Sequence, residues 1–434
     1  MKLLEPVLLS AIIETLESGV SVNGEDRAAS QSEFGVLKTS AVSNGHFFQH
    51  ENKAIRPEEV GRSKQNIRKG DLLISRMNTP DLVGACGVVD QDYPNLFLPD
   101  RLWRVVLADK KRDHIAWLTL VLNSDDIRAQ IKIRSTGTSN SMKNLSQGAF
   151  LGIKVIRPPL PEQIEIARVL TAWDDAIART SALIAAKTRF KTALRQELLT
   201  GERRFEEFKG TDEQQQTKYG LRPADWENLP IDAFAFEVNQ RAGNAQPLPV
   251  LSCTKHAGLV SSLQYFGKQI YSKSLALYKV VQRNQFAYAT NHIEEGSIGL
   301  LTNLPAGVVS PMYTVFALTQ RAHPPFLFAL FKTEMYRQIF AANTSASVDR
   351  RGSLRWSQFA RITVALPTIE EQRAIAKVLD AANAEISALN RQLLAFKTQK
   401  RALMQLLLSG EKRVQVVARG TSSNDGHSDT EGES

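Results

Sequence analysis

The chain has 434 residues, of which 54 are Lys or Arg and 45 are Asp or Glu, so that its formal net charge is +9. Hydrophobic and charged shares of 43% and 23% are those of an ordinary folded protein, and the length predicts about two to four domains. A chain with two cysteines cannot have a disulfide framework. The excess of basic residues favours a polyanionic partner. No apolar run reaches the roughly 18 residues that a membrane span needs.

The N-terminal stretch MKLLEPVLLSAIIETLES is apolar, and we predict that it forms a first helix. Glu5, Pro6 and Glu14 interrupt the run. It lacks the small-residue cleavage site of a signal peptide, so we interpret it as part of the folded domain.

Residues 20–150 have the pattern of a mostly β domain. Short apolar runs, such as Asp71–Ser75 and Leu102–Leu107, are separated by Gly, Asn and Pro. Turn signals recur about every 8–12 residues, which is typical of β-rich folds. A helical pattern appears at Ile115–Ile131, so we predict β structure with a few helices.

A segment of 47 residues, 158–204, occurs a second time at 367–413. The copies are offset by 209 residues without a gap, and 19 of the 47 paired positions are identical. Internal repeats determine the architecture, and two copies this far apart predict two similar halves. Each copy is predicted to be one long helix, with a Pro at its start and with Gly201 or Gly410 just past its end.

Both copies carry a heptad-like apolar seam with alternating spacings of three and four residues. A sustained period of 3.5 residues predicts a coiled coil. Size differences between equivalent positions, such as Trp173 against Ala382 and Lys187 against Phe396, favour packing of the two helices on each other. The alternative is that each helix merely covers its own domain. The residues predicted to pair are Ile166, Leu170, Trp173, Ile177, Ile184, Leu194, Ile375, Leu379, Ile386, Leu389, Leu393, Phe396 and Leu403.

Residues of about 220–366 repeat the β-rich pattern more faintly, with a helical pattern at Pro325–Ala341. The polar segment 205–222 is predicted to be an exposed linker, and the segment 414–434 a disordered tail. The predicted fold class is therefore α+β. Two β-rich domains, 1–157 and 223–366, alternate with long helices at 158–204 and 367–413.

One polar loop precedes the long helix in each half, at Lys132–Lys143 and Asn343–Ser353. Both loops are rich in Ser, Thr, Asn and basic residues, which contact phosphate oxygens and base edges. Because the loop recurs at the same place in both halves, we favour DNA binding over an ordinary polar surface loop. The candidate residues are Lys132, Arg134, Ser135, Thr136, Thr138, Ser139, Asn140 and Lys143 in the first loop, and Thr344, Ser345, Ser347, Arg350 and Arg351 in the second.

A second candidate contact in each half lies just past a predicted strand, at Arg76 and Asn78 and at Asn291 and His292. No catalytic residue is predicted, because the sequence lacks a GxxxxGK[ST] phosphate loop and a Gly-rich turn for a dinucleotide or S-adenosylmethionine. No cluster of His, Cys and Asp has the spacing of metal ligands. These patterns predict a binding protein without a cofactor or metal of its own.

The order of domain, helix, domain and helix resembles the specificity subunit of type I restriction-modification systems. The matching residues before and within the helix starts are Pro159–Gln163 and Leu366–Gln372. The segments Ser135–Asn140 and Thr344–Arg351 resemble the loop rich in Gly, Thr and Ser that closes each target recognition domain of that family. The resemblance extends from about Leu8 to Arg413.

The resemblance implies a fold, a function and a set of partners. Each β-rich domain would be a target recognition domain for one part of a bipartite, asymmetric sequence in double-stranded DNA. The long helices would form an antiparallel coiled coil, with the two halves related by a pseudo-twofold axis, and would set the gap between the parts. Two modification (methyltransferase) subunits would supply S-adenosylmethionine chemistry, and motor-nuclease restriction subunits would cleave unmethylated DNA. The expected compartment is the cytoplasm, with no membrane partner.

Two alternatives remain open on the sequence. The chain is either a DNA-modifying enzyme with an unrecognised site, which would methylate or cleave DNA by itself, or a coiled-coil adaptor without direct DNA recognition. Neutralising Arg350 and Arg351 would leave an adaptor intact but would impair a DNA-binding protein, as a binding assay would show.

Overall fold

The structure is a computed structural model that describes residues 4–137, 142–210, 212–243, 248–255, 258–344 and 353–415. The chain divides into two compact units, Met1–Thr180 with Gln392–Ser434 and Ser181–Arg391. This division runs through both long helices. Each unit therefore holds one β-rich region together with a segment of each helix.

In the first unit, strands and helices follow the order expected of an α+β domain. The strands are β1 (Pro6–Leu8), β2 (Ile13–Ser18), β3 (Gly35–Leu37), β4 (Val42–Ser43), β5 (Gly45–Phe47), β6 (Asn52–Ala54), β7 (Asn66–Ile67), β8 (Leu72–Ser75), β9 (Met77–Asn78), β10 (Cys86–Val88), β11 (Tyr93–Phe97), β12 (Leu102–Leu107), β13 (Lys143–Asn144) and β14 (Lys154–Ile156). The helices are α1 (Ile115–Leu122), α2 (Asp125–Arg134), α3 (Gln147–Leu151) and the first part of α4 (Leu160–Thr200).

The largest sheet of the first unit has the strand order β2-β12-β8-β10-β5-β4, and a second sheet has the order β6-β3-β11-β7. The buried faces of β2, β8 and β12 pack against α1, α2 and the start of α4 in one core that contains Trp103, Trp117 and Phe150. A smaller core, around Leu73 and Leu98, lies beneath the second sheet. The central strand β8 is buried at all four positions, so its end is held rigidly.

The second unit repeats this plan. Its strands are β15 (Gln214–Thr217), β16 (Gly220–Pro223), β17 (Glu227–Pro230), β18 (Ala235–Glu237), β19 (Leu251–Thr254), β20 (Gly258–Ser261), β21 (Lys279–Gln282), β22 (Phe286–Ala289), β23 (Ile298–Leu300), β24 (Ala306–Val309), β25 (Tyr313–Leu318) and β26 (Thr363–Leu366). The helices are α5 (Ser262–Phe266), α6 (Pro324–Phe331), α7 (Glu334–Ala342), α8 (Trp356–Phe359) and α9 (Ile369–Leu408), whose last part belongs to the first unit.

The main sheet of the second unit has the order β18-β25-β22-β23. It forms an aromatic core with α6, α7 and α8, in which the rings of Phe286 and Phe316 stack at 4.8 Å. The strand β22 is buried at all four positions, as β8 is in the first unit. In both units a fully buried central strand leads to the surface at its C-terminal end.

The prediction of an N-terminal helix is wrong. The segment forms β1, a short 3-10 turn and β2 instead. Ile13 and Leu16 of β2 are buried while Glu14 and Thr15 are exposed, and β2 pairs with β12 along its length. Pairing with a strand far along the chain outweighs the local apolar pattern, as tertiary context commonly does.

The segment 205–222, predicted to be an exposed linker, is partly folded. Most of its second half folds into a hairpin in which β15 pairs with β16. The side-chain amide of Gln215 donates hydrogen bonds to the carbonyl oxygens of Pro223 and Trp226. The polar composition concealed this hairpin because its strands bond mainly to each other and to glutamine side chains.

The two helical patterns inside the β-rich regions are confirmed, but each corresponds to two helices. The breaks fall at Asn123–Ser124 and at Lys332–Thr333. Thr333 caps the second helix of its pair by accepting a hydrogen bond from the backbone N–H of Tyr336. Such side chains favour a helix start over a helix interior.

The long helices α4 and α9 begin and end as the repeat predicts. Gly201 and Gly410 follow the last helical residues with positive φ values of 79° and 76°, the left-handed conformation of a helix C-terminus. At the start of α4, the buried side-chain amide of Gln163 accepts a hydrogen bond from the His114 N–H and donates to the carbonyls of Arg112 and Pro158. At the start of α9 Gln372 bonds identically to His323, Arg321 and Pro367.

The glutamate before each of these glutamines forms an ion pair with an arginine that lies just past the end of the other long helix. In the first unit, Arg413 Nε donates to Glu162 at 2.6 Å. In the second unit, Arg204 donates to both oxygens of Glu371 at 2.8–2.9 Å and also pairs with Asp225. The start of one helix therefore contacts the end of the other within each unit, which is an antiparallel order.

The residues predicted to pair along the seam are buried or partly buried. Trp173 packs edge-on against Phe396 with ring centroids 5.6 Å apart. The contacts follow an antiparallel order, so a residue of one helix does not contact the equivalent position of the other helix. The comparison of Trp173 with Ala382 therefore did not identify the residue that contacts Trp173. Lys187 pairs instead with Glu385 of the second unit. Within the described part of the chain, no helix is both long enough and apolar enough to cross a membrane.

We predict that Glu371→Gln lowers the free energy of unfolding of the second unit by about 2–4 kcal/mol. The substitution leaves Arg204, whose side chain is 7% exposed, without its most buried carboxylate. Urea unfolding followed by tryptophan fluorescence measures the loss. The control Glu206→Gln breaks an exposed pair with Lys209 and should cost at most about 1 kcal/mol. Equal effects of the two substitutions would contradict the prediction.

Candidate nucleic-acid interface

In the first unit, three chain segments meet at the surface where β8 ends. Ser75 of β8 lies opposite Leu102 of β12. One residue further, the N–H of Arg76 donates to the carbonyl of Arg101 at 3.1 Å, and the carbonyl of Arg76 accepts from the N–H of Leu145 at 2.8 Å. Arg76 is thus the middle member of a three-stranded arrangement. We call this set of strand ends, Arg76–Asn78, Arg101 and Lys143–Leu145, the first platform.

The two segments that the sequence singled out in the first half are neighbours in this platform. Asn78 of β9 lies opposite Lys143 of β13. The side-chain amide of Asn78 donates to the hydroxyl of Ser75 at 3.2 Å, which orients the side chain. Two weak motifs that are far apart in the sequence therefore form one surface.

The polar loop of the first half is closed at its base by backbone pairing. Thr136 and Asn144 exchange two N–H···O bonds of 2.8 Å. Lys143 Nζ donates to the Gly137 carbonyl at 2.7 Å. The loop thus begins and ends on the first platform. The predicted residues Thr138, Ser139 and Asn140 lie outside the described residues.

Basic residues at the C-terminal end of α2 lead into this loop. Lys132 Nζ lies 2.8 Å from Asp81, and this hydrogen bond and the lysine charge lower the pKa of the Asp81 carboxyl. Both side chains are exposed, so solvent weakens the pair and an incoming phosphate can compete for Lys132. The Ser135 hydroxyl donates to the Lys132 carbonyl. Arg134 is exposed and forms no ion pair among the described residues.

The second unit has a similar arrangement where β22 ends, in which a side-chain hydroxyl makes one of the two bonds. Ala289 of β22 lies opposite Tyr313 of β25. The next residue, Thr290, donates its hydroxyl to the Met312 carbonyl at 3.0 Å and accepts at its own carbonyl from the Leu354 N–H at 2.8 Å. We call the strand ends Thr290–His292, Met312 and Leu354 the second platform.

The predicted residues Asn291 and His292 belong to this second platform and are partly exposed. Thr344 follows α7, and its hydroxyl donates to the carbonyl of Ala341 at 2.6 Å. Of the other predicted residues in the second loop, Ser345, Ser347, Arg350 and Arg351 lie outside the described residues. Leu354 nevertheless shows that the chain leaving this loop returns to the platform.

An acidic pair lies beside His292. The His292 Nδ1 atom is 3.3 Å from a Glu295 carboxylate oxygen. One ligand atom each from His292, Glu294 and Glu295 lie within 4.8 Å of one another, a spacing compatible with a cation. Exposed acidic groups commonly adopt such spacings without a metal, so the absence of a metal site stays a prediction.

Arg101 and Met312 are platform residues that the sequence did not identify. Each precedes an apolar strand, β12 or β25, that resembles many other strands in the chain. Their position became evident only from the pairing of β12 with β8 and of β25 with β22. An alignment of the two β-rich regions as repeats could have pointed to these two residues, but the repeat is faint in those regions.

Part of the chain is similar to a known DNA specificity domain. Residues 29–186 match the family model of the type I restriction modification DNA specificity domain. The chain is similar to the type I restriction enzyme EcoEI specificity subunit of Escherichia coli, with 24% identity over 36% of this chain and 27% of that protein. It is also similar to the EcoKI specificity subunit of Escherichia coli strain K12, with 26% identity over 39% of this chain and 36% of that protein.

The matched segments span only about a quarter to a third of those two relatives. The fold as a whole is similar to that of the crystallised HsdS subunit from Thermoanaerobacter tengcongensis, with a TM-score of 0.54 and 16% identity over 94% of this chain and 97% of that chain. The family model, the two relatives and the shared fold agree with the resemblance seen in the sequence. Residues 29–186 therefore match the DNA specificity domain of type I restriction-modification systems, and the chain as a whole has a fold similar to that HsdS subunit.

Proposed function

We propose that this chain is the non-catalytic subunit that recognises DNA in a type I restriction-modification complex, and that each platform recognises one part of a bipartite, asymmetric target. The observation that carries the proposal is the recurrence of one backbone arrangement with different side chains. Arg76 and Thr290 occupy the same place in the hydrogen-bonded strand ends of the two units. Similar frames with different side chains favour two different half-sites.

Base recognition by these platforms rests on their residue types. The first platform presents Arg76, Asn78 and Arg101, and the second presents Asn291 and His292. Arginine and asparagine form the commonest bidentate contacts to guanine and adenine in the major groove. Exposed Lys132 and Arg134 supply charge for phosphate contacts, which position a protein on the duplex without selecting its sequence.

The long helices are proposed to pair along their length as an antiparallel coiled coil that sets the spacing between half-sites. Two equivalent ion pairs, Glu162 with Arg413 and Glu371 with Arg204, support a pseudo-twofold relation of the repeats. Lys400 with Asp174 and Lys191 with Asn383 form a second equivalent pair of contacts. The 41 residues of α4 extend about 60 Å at about 1.5 Å per residue.

Two modification subunits are proposed as partners, and they would carry the S-adenosylmethionine that methylation requires. Each unit contains a groove between its helix segments and its β-rich region. The groove of the first unit, of about 620 Å³, is lined by Ser124, Asp125 and Lys400, and that of the second, of about 730 Å³, by Thr333, Glu334 and Lys191. Equivalent grooves suit two copies of one partner. Motor-nuclease subunits would join this complex to cleave unmethylated DNA.

Mapping of methylated adenines in a host that carries the chain with its modification subunits tests the proposal. We expect one bipartite motif with two unlike half-sites and a constant gap. The control is the same host without this chain, which should show no such motif. A continuous palindrome would contradict recognition by two different platforms, and methylation by the purified chain alone would contradict a non-catalytic role.

Lengthening both helices by one heptad tests their role in spacing. Seven residues inserted after Thr180 and after Leu389 preserve the 3.5-residue seam and add about 10 Å, or about three base pairs of duplex. We expect the mapped motif to keep its bases and to gain about three base pairs in its gap. Seven residues inserted after Arg413 serve as the control. An unchanged gap would show that the helices do not set the spacing.

A further inference from the structure

Two residues hold the same position in the two platforms but differ completely in chemistry. Arg101 lies directly opposite Arg76, because the adjacent pair in the ladder is Leu102 with Ser75. Met312 lies beside Thr290, one residue past the last ladder pair of Tyr313 with Ala289, and its carbonyl accepts a hydrogen bond from the Thr290 hydroxyl at 3.0 Å. In each unit these two residues are neighbours just past the end of the paired strands. Each pair therefore presents one small composite surface.

This surface faces outward in the first unit. Ser75 and Leu102, the preceding pair in the ladder, are both fully buried. Arg76 and Arg101 come directly after the last pair of this buried ladder, where the chain reaches the surface. In agreement, Arg101 is exposed and Arg76 partly exposed.

Two arginines directly opposite each other repel unless an anion or another acceptor lies between them. None of the ion pairs among the described residues includes either guanidinium. The Nε atom of Arg76 is buried and has no hydrogen-bond partner in the described structure. A buried N–H donor without an acceptor is costly, so an acceptor beside the two guanidinium groups would stabilise this arrangement.

The second platform replaces this charge with an apolar group. The Thr290 hydroxyl is already used, since it donates to the Met312 carbonyl at 3.0 Å. Met312 is 63% exposed. An apolar side chain among polar platform residues matches the one apolar group in the major groove, the C5-methyl of thymine.

We infer that the equivalent positions Arg101 and Met312 determine one base pair in each half-site. Arg101 binds the O6 and N7 edge of a guanine in the first half-site, with Arg76 held beside it, and Met312 contacts a thymine methyl in the second. This inference rests on the proposed function and adds to it the identity of two specificity-determining residues. It also implies that the half-site of the first unit contains a G·C pair at this place, whereas that of the second contains an A·T pair.

Arg101→Ala tests the assignment in the complete methyltransferase complex. We expect the mapped motif to lose its preference for guanine at one position by about 10- to 100-fold, while every other position stays unchanged. Met312→Ala should weaken a thymine preference at one position of the other half-site. Arg112→Ala is the matched control, because this arginine of the same unit is exposed beyond the far end of β12. The control should leave the motif intact.

The outcomes separate the inference from the function on which it rests. If the wild-type complex shows no bipartite motif, the proposed function fails. If the wild-type motif is bipartite but Arg101→Ala leaves it unchanged or weakens all positions equally, only the present inference fails. Far-ultraviolet circular dichroism and thermal melting check that each variant is folded. The variant Arg101→Lys keeps the charge but loses the bidentate fork, and it should also lose the guanine preference.

Discussion

One buried glutamine in each unit joins the β-rich region to its long helix, and the remaining structure depends on it. The side chain of Gln163 is fully buried and bonds three backbone groups, two from the segment before α1 and one from the turn before α4. Gln372 does the same in the second unit. Loss of one partner in such a buried site costs about 1–3 kcal/mol. The angle at which each helix leaves its domain is therefore fixed by three directional bonds rather than by apolar packing alone.

The glutamate next to this glutamine connects the second helix to the same point. Glu162 is nearly buried and is bonded by Arg413, and Glu371 is bonded by Arg204. A buried carboxylate is tolerated only with a paired cation and further hydrogen bonds, so the sequence of the two helix ends is strongly constrained. The residues of this ion pair are identical in the two helix copies, whereas the β-rich regions differ. The part that the two units share is a junction, and the part that differs is the surface beside it.

Local patterns predicted the helices well because the determinants of a helix lie within a few residues. The apolar seam and the terminal glycines Gly201 and Gly410 depend on spacings of three to seven residues. The split of Ile115–Ile131 into two helices was not predicted. The strand β2 was missed because its partner, β12, lies far along the chain. The hairpin of β15 and β16 was missed because its glutamines carry no apolar alternation.

The candidate interface was predictable in part for the same reason. Arg76 and Asn78 were identified because they follow a recognisable apolar strand, and the loops because they are polar in both halves. Their convergence, and the presence of Arg101, depend on a ladder between distant strands that no local pattern specifies. A sequence can thus indicate which segments bind while leaving open which side chains share a surface.

The platforms show how two copies can keep one geometry while their specificity changes. The bond that both platforms share joins backbone atoms: the carbonyl of Arg76 or Thr290 accepts from the N–H of Leu145 or Leu354. Backbone groups are present whatever the side chain, so the frame persists when its outward side chains are exchanged. All four residues of β8 and all four of β22 are buried and form the core. Arg101 and Met312 lie outside these strands and are exposed. The buried strands therefore maintain the fold, while the exposed residues beside their ends can differ between the two units.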